Sequence, residues 1–239
     1  MTVMHAPEQN HLLAALPVGV RKRIFARLKL IEISQGDVIY ESGQPLEYVY
    51  FPTDCVISLL QTTVNGASAA ISVVGNDGIV GVSVFMGGES TSSHAVVQSS
   101  GCVYRMSSME LKEEFNADAE VRLLMLRYTQ ALITQMSQTA VCNRHHSIDQ
   151  QLCRWLLLSL DRLAGNRLTI TQELIANTLG VRREGVTKAA GKLQSLGIIR
   201  YHRGQITVID RPALETMCCE CYSAVKCETD RLSSYGTIL

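Results

Sequence analysis

The segment from Thr171 to Tyr201, TQELIANTLGVRREGVTKAAGKLQSLGIIRY, constrains the fold of this chain more than any other. Its spacing predicts two short helices joined by a tight turn and followed by a strand. Thr171 is placed to cap the first helix, and Glu173 falls in the first turn, where a carboxylate suits the positive end of the helix dipole. Leu174, Ile175 and Leu179 are that helix's apolar residues. Gly180 supplies a permissive backbone for the turn, and Val181 tucks the turn into a core. The second helix opens with Arg182, Arg183, Glu184, Thr187 and Lys188, backed by Val186, Ala189, Ala190 and Leu193. Small residues at 185, 189, 190 and 191 allow close approach to another backbone. A first turn of Arg, Glu and Thr can reach base edges and phosphates in a major groove.

Charge supports the same reading. The chain as a whole balances 22 basic against 22 acidic residues, so any local excess carries information. Between Asn166 and Gln205 there are seven Arg or Lys and two Glu, a basic excess on the motif itself, as DNA contact requires. A helical hairpin with a solvated basic face would share this pattern. The residues C-terminal to the motif distinguish the two. Gly197 to Tyr201, then His202-Arg203-Gly204, then Gln205 to Ile209 reads as strand, turn and strand, the hairpin of a winged helix with Arg203 at its tip.

At 239 residues the chain has room for one large or two ordinary domains. No apolar run approaches the roughly 20 residues of a membrane span. MTVMHAPEQN lacks the basic and apolar regions of a secretion signal, so the cytoplasm is expected. There the eight cysteines are expected as reduced thiols, most of them buried. The tail cluster CCECYSAVKC (Cys218, Cys219, Cys221, Cys227) invites metal or redox chemistry. Its only CxxC pair is Cys218 and Cys221, and no second pair stands at finger-like spacing. On a helix, Cys218, Cys221 and Val225 would make an ordinary packing stripe, and no metal site is expected. His145-His146 is read as a hinge for the same reason.

The hydrophobic period changes twice along the chain. Residues 10 to 30 look helical. From Leu30 onward short alternating runs dominate: Val38 to Tyr40, Tyr48 to Phe51, Val56 to Gln61, Ala69 to Val74, His94 to Gln98 and Cys102 to Met106. Turn residues separate most of them, which indicates an antiparallel barrel or jelly roll. Asp118 to Arg144 then runs without Gly or Pro. Val121, Leu124, Tyr128, Ala131 and Gln135 fall near a seven-residue repeat, with Leu132 broadening the face, so a helix of about 25 residues is expected to pair with a second copy. Packing that face on the chain's own barrel is the alternative. Ser147 and Gln150 form a capping box for a helix from Ile148 to Leu163. The expected organisation is therefore α+β: a sensor roll over 1–117, a dimerisation helix and hinge over 118–146, and a winged helix-turn-helix over 147–239.

In this order the chain resembles the family of the cyclic-AMP receptor protein and the fumarate-nitrate reductase regulator (CRP/FNR), from about Leu16 to Asp210. Its most specific parts are Gly36-Asp37-Val38-Ile39 through Gly43 to Tyr48-Val49-Tyr50-Phe51, and the helix-turn-helix. The resemblance implies a cyclic-nucleotide-binding-like roll, dimerising helices and a recognition helix in the major groove. It further implies that Arg183 donates to guanine, Glu184 accepts from cytosine and Lys188 takes a base or phosphate. Lys at 188 lacks the bidentate fork of Arg. The sensing segment GIVGVSVFMGGESTSSHAVVQ departs from the family's pattern. Gly81, Val82 and Ser83 stand where a ribose-binding Glu belongs, and Ser93-His94, just before Ala95, where a phosphate-binding Arg belongs. A bound phosphate would lack its fixed cation, with His94 charged only in part near neutrality and the backbone around Gly87-Gly88 left as an anion cradle. No cofactor is expected, and cyclic AMP is disfavoured as effector. No cysteine precedes Cys55, which argues against an N-terminal iron-sulfur cluster, and none of His5, His11 and His94 sits in a haem-attachment motif.

The leading expectation is a homodimeric transcription regulator on a palindromic operator, with double-stranded DNA and RNA polymerase as partners. Its DNA contacts would come from Arg182, Arg183, Glu184, Thr187, Lys188, Lys192 and Arg203. The alternative is a small-molecule or thiol-redox sensor acting through protein contacts. No catalytic motif is found, and Asp77 and Glu89 are read as solvated loop acids.

Overall fold

A computed structural model describes residues 5–233. The first four residues of the stretch read for a leader, and the last six of the domain placed at 147–239, lie outside them. Among the described residues, three antiparallel sheets and ten α-helices make up most of the structure. The N-terminal part opens with the short helices α1 (His11–Ala14) and α2 (Val18–Phe25). Seven strands come next: β1 (Lys29–Ile33), β2 (Val38–Tyr40), β3 (Tyr48–Pro52), β4 (Val56–Thr62), β5 (Ser68–Val74), β6 (His94–Ser99) and β7 (Gly101–Ser107). They form a roll of two sheets ordered β1-β7-β3 and β2-β6-β4-β5, with a single turn of helix, α3 (Ser83–Met86), between β5 and β6.

Strands β4 and β5 do not alternate as half-exposed strands do. Val56 to Leu60 are all buried, because the second face of this sheet is also covered. Ile57, Leu59 and Val74 face the interior of the roll, whereas Val56 and Val73 belong to the core of the C-terminal domain. The buried polar residues on that outer face bond in a chain: Ser58 donates to Gln98 Oε1, and Gln98 Nε2 donates to Ser159 Oγ, each at 2.9 Å. Polar groups buried at a domain contact need such partners.

After β7, α4 (Ser108–Ala117) leads into α5 (Ala119–His145). Asp118 ends one and caps the other, accepting from the N–H groups of Glu120 and Val121. The 27-residue α5 runs beside the roll. Ser147 and Gln150 make the expected capping box, and open α6 (Ile148–Leu160). The C-terminal domain comprises β8 (Arg167–Thr169), α7 (Gln172–Leu179), α8 (Arg183–Ser195), the hairpin β9 (Ile199–His202) and β10 (Gln205–Val208), then α9 (Arg211–Met217) and α10 (Glu220–Ser233). Its sheet is ordered β8-β10-β9. Helix α10 lies back along α5, with Gln130 Nε2 donating to Glu228 Oε1 at 3.1 Å. Among the described residues no helix is long and apolar enough to cross a membrane.

Candidate nucleic-acid interface

The turn between α7 and α8 forms as its residues dictate. Thr171 accepts from Leu174 N–H at 3.2 Å and caps α7. Gly180 ends it in the left-handed region at φ 66°, where a Cβ would be strained. The small residues serve the approach of α8 to α6. Ala189 and Ala190 are buried, and a Cβ at Gly185 would stand 2.7 Å from Ile148 Cδ1. Val186, Ala189 and Leu193 anchor the inner face in a core with Ile175, Leu156 and Ile206.

The outer face carries Arg183, Glu184, Thr187 and Lys188, with Arg182 at the N-cap; Arg183, Glu184, Thr187 and Lys188 are all exposed, as is Arg182. Arg182 places no side-chain oxygen on the first-turn N–H groups of α8. Gly185 N–H instead donates to the Arg182 carbonyl at 2.9 Å, and the positive end of the helix dipole stands beside the two arginines, an arrangement suited to phosphate. The Thr187 hydroxyl lies 2.8 Å from Gln172 Oε1 and 3.0 Å from the Arg183 carbonyl oxygen, so its position is fixed by α7. Arg203 occupies the hairpin tip at φ 47°, followed by Gly204 at 76°. Two positive φ values between strands paired at His202 and Gln205 give the tight turn that matches strand twist. Lys192, expected on a phosphate, instead pairs with Asp149 of α6.

The structure brings most of the sensing segment together against the roll's core. Ala95 is wholly buried, and Val82 packs with Tyr40 and Tyr128. Ser93 is buried, its Oγ 3.1 Å from Thr91 Oγ1 and 3.4 Å from the Tyr40 hydroxyl. Burial pushes the Tyr40 phenol up, with the Ser93 contact opposing. His94 is half-buried at the start of β6, 3.5 Å from Thr62 Oγ1. Gly81 packs against Val49, and Ser83 Oγ is buried without a hydrogen-bond partner. The N–H groups of Gly87 and Gly88 both point at the Ser83 carbonyl oxygen, so the anion cradle expected there is already spent.

The seam expected on α5 is corrected. Val121, Ala131, Leu132 and Gln135 are buried, and Leu124 and Tyr128 pack into the roll's core. Gln135 Nε2 donates to the Val73 carbonyl at 3.2 Å. That stripe holds the chain's own roll. The opposite face leaves Leu123, Leu126, Ile133 and Val141 each about half exposed. Two further expectations change. Asp77 is not a solvated loop acid but pairs with Arg162, and Cys218 does not share a helix with Cys221, since α9 stops at Met217 and the chain is extended at Cys218.

A winged helix-turn-helix joined by a long helix to a β-roll of this order defines a class, the two-domain transcription regulators with a DNA-binding head. The model of the cyclic nucleotide-binding domain matches residues 30–118, and that of the Crp-like helix-turn-helix domain matches residues 150–217. A global nitrogen regulator of Synechococcus elongatus is 22% identical over 197 residues, covering 78% of this chain and 88% of the relative. FixK2 from Bradyrhizobium japonicum has the same fold at a TM-score of 0.66 and 18% identity, over 80% of this chain and 98% of that one. So does CLP of Xanthomonas campestris, described as a c-di-GMP responsive global regulator, at 0.64 and 15%, over 80% and 99%. The chain belongs to the CRP/FNR family of transcription regulators, and its helix-turn-helix is a DNA-binding domain.

Proposed function

We propose that this regulator acts as a homodimer that reads an imperfect palindrome and reaches its DNA-competent state without cyclic AMP. The observation that carries the reading is the outer face of α8, where Arg183, Glu184 and Lys188 stand exposed on the first turns beside an uncapped N-terminus. On the CRP/FNR pattern Arg183 donates to guanine and Glu184 accepts from cytosine, while Lys188, Arg182 and Arg203 meet bases or phosphates. Lys192 acts on phosphate only by leaving Asp149. Two such helices related by a dimer axis reach half-sites about 34 Å apart.

The exposed face of α5 supplies the axis. Leu123, Leu126, Gln130, Ile133, Ser137 and Ala140 recur at alternating steps of three and four, the spacing of a two-helix seam. Against cyclic AMP stand the tyrosine-filled interior around Ser93 and the lack of an arginine in the segment from Gly78 to Gln98. RNA polymerase is the further partner of such a regulator.

Selection of DNA sites by the purified full chain, with and without cyclic AMP, tests this. A palindrome enriched equally in both supports the reading. Enrichment only with cyclic AMP overturns the effector part, and an asymmetric single half-site overturns the dimer.

A further inference from the structure

Cysteine residues far apart in sequence meet where the long helix ends. Cys142 lies in the last turn of α5 and His146 is its C-cap, with His146 N–H donating to the Cys142 carbonyl at 3.0 Å. Cys219 and Cys221 bracket the start of α10, just after the break at the end of α9. Cys142, Cys219 and Cys221 are buried, His146 is half-buried, and one ligand atom from each of the four lies within 4.8 Å of all the others. The three thiols form a small core of their own, separate from the large apolar clusters.

Two of the six separations match edges of a coordination tetrahedron, and the other four lie within 4.8 Å. Cys142 Sγ is 3.6 Å from Cys219 Sγ, and Cys221 Sγ is 3.6 Å from His146 Nδ1. With Zn–S of about 2.3 Å and Zn–N of about 2.0–2.1 Å, the edges of a tetrahedron are about 3.8 Å for S···S and about 3.5 Å for S···N. We propose that Cys142, His146, Cys219 and Cys221 form a Cys3His site for a zinc ion at the hinge between the two halves of the molecule.

Three surrounding groups fit that assignment. Glu220 Oε1 stands 3.3 Å from His146 Nε2, on the side away from the thiols. A carboxylate there fixes the tautomer that leaves Nδ1 free to coordinate, the usual support of a zinc-bound histidine. Gln151 Nε2 donates to the carbonyl oxygens of His146 at 3.0 Å and Cys142 at 3.5 Å, holding the helix end in place before any ion arrives. Arg154 is buried, donates to Thr139 Oγ1 at 3.0 Å, leaves its Nε without a partner, and has no carboxylate paired with it among the described residues. A buried guanidinium without a counter-charge is costly. Zinc with three thiolates and a neutral imidazole carries one net negative charge, the sign of counter-charge that buried Arg154 lacks. Because zinc takes each thiol as its thiolate, binding one Zn2+ displaces three thiol protons and involves no change of oxidation state.

Spacing alone hid the site. In sequence the one CxxC pair is Cys218-Cys221, whereas the fold joins Cys219-x-Cys221 to Cys142-x3-His146. The ion would tie the end of α5 to the first turn of α10 across the capping box that opens α6.

The full chain, purified under reducing conditions without chelator, is expected to hold one zinc per chain by elemental mass spectrometry. Replacement by Co2+ is expected to give tetrahedral d–d bands and thiolate charge transfer. Cys142→Ser and Cys219→Ser should abolish both, and exposed Cys227→Ser should change neither. Glu220→Gln, at a surface position that spares the fold, should weaken zinc binding about 10–100-fold. That variant and the cobalt spectrum decide the matter even where a cysteine variant misfolds. A well-folded chain that takes up neither ion overturns the proposal. So does a Cys142–Cys219 disulfide in the protein as isolated, or undiminished zinc affinity in Cys219→Ser.

Discussion

Arg162, just past the end of α6, meets Asp77 of the roll through both carboxylate oxygens, Nη2 to Oδ2 at 2.7 Å and Nε to Oδ1 at 3.0 Å. It also donates to the Leu158 carbonyl and to Gln135 Oε1 of α5, so one buried guanidinium joins roll, long helix and DNA-binding domain. Gly75 is required beneath it, because a Cβ there would stand 2.5 Å from Arg162 Cβ. Asp77→Asn leaves the charge buried and unpaired. Breaking a buried pair costs roughly 3–5 kcal/mol, and some exposure of Asp77 puts this case at the low end. Urea unfolding of the two proteins measures it, and a loss under about 1 kcal/mol would show that Arg162 is held by its other two acceptors.

The same loop makes a second close contact. A Cβ at Gly78 would stand 2.3 Å from the ring of Tyr128, which α5 drives into the roll. Burial in that position holds the Tyr128 phenol well above its usual range. Gly78→Ala is expected to destabilise by about 1–3 kcal/mol through overpacking. Trimming the ring should relieve the clash, so Gly78→Ala combined with Tyr128→Leu should cost less than the two single changes added together. Additive thermal shifts would refute the contact.

Much of the fold is legible in the sequence because local chemistry settles it. Thr171 and the Ser147-Gln150 box cap the helices they are expected to cap, and Arg203-Gly204 turns the wing. Helix α4 escapes a reading by period because its buried side is Leu111 together with Glu114, an acid that enters the core only by pairing with Arg23 and Arg27. No periodicity reveals a buried carboxylate whose partners lie some ninety residues away. The stripe on α5 is apolar, as its spacing predicts, but it covers a different surface from the one expected, since spacing says that a face is covered and not by what. The same limit applies to the cysteines: a chain break at Cys218 changes which sulfurs face each other, and the partners Cys142 and His146 come from another helix.

The two faces of α5 should respond oppositely to substitution. Leu126→Asp and Ile133→Asp alter half-exposed residues of the outer seam and are expected to convert a dimer to a monomer in analytical ultracentrifugation. The fold of the separated chain should change little, since surface substitutions are usually within about 0.5 kcal/mol. Leu132→Ala, on the buried face, should cost about 2–5 kcal/mol and leave the association intact once folded. A dimer that survives both aspartates would place the axis elsewhere.

Glu184 and Lys188 lie one helical turn apart on the exposed face of α8, and their chemistry separates specificity from affinity. A carboxylate can only accept, so it reads cytosine's amino group and repels phosphate; an ammonium does the reverse. Glu184→Ala should therefore lower discrimination at one base pair of each half-site by roughly 1–3 kcal/mol while random DNA is bound as well or better. Lys188→Ala should weaken cognate and random DNA alike and reduce the dependence of log K on log salt by about one unit per recognition helix if its contact is to phosphate. Fluorescence anisotropy on both DNAs across a salt series separates the two. Equal losses on cognate and random DNA for Glu184→Ala would remove that residue from base readout, and an unchanged salt slope with a lost base preference for Lys188→Ala would assign it to a guanine instead.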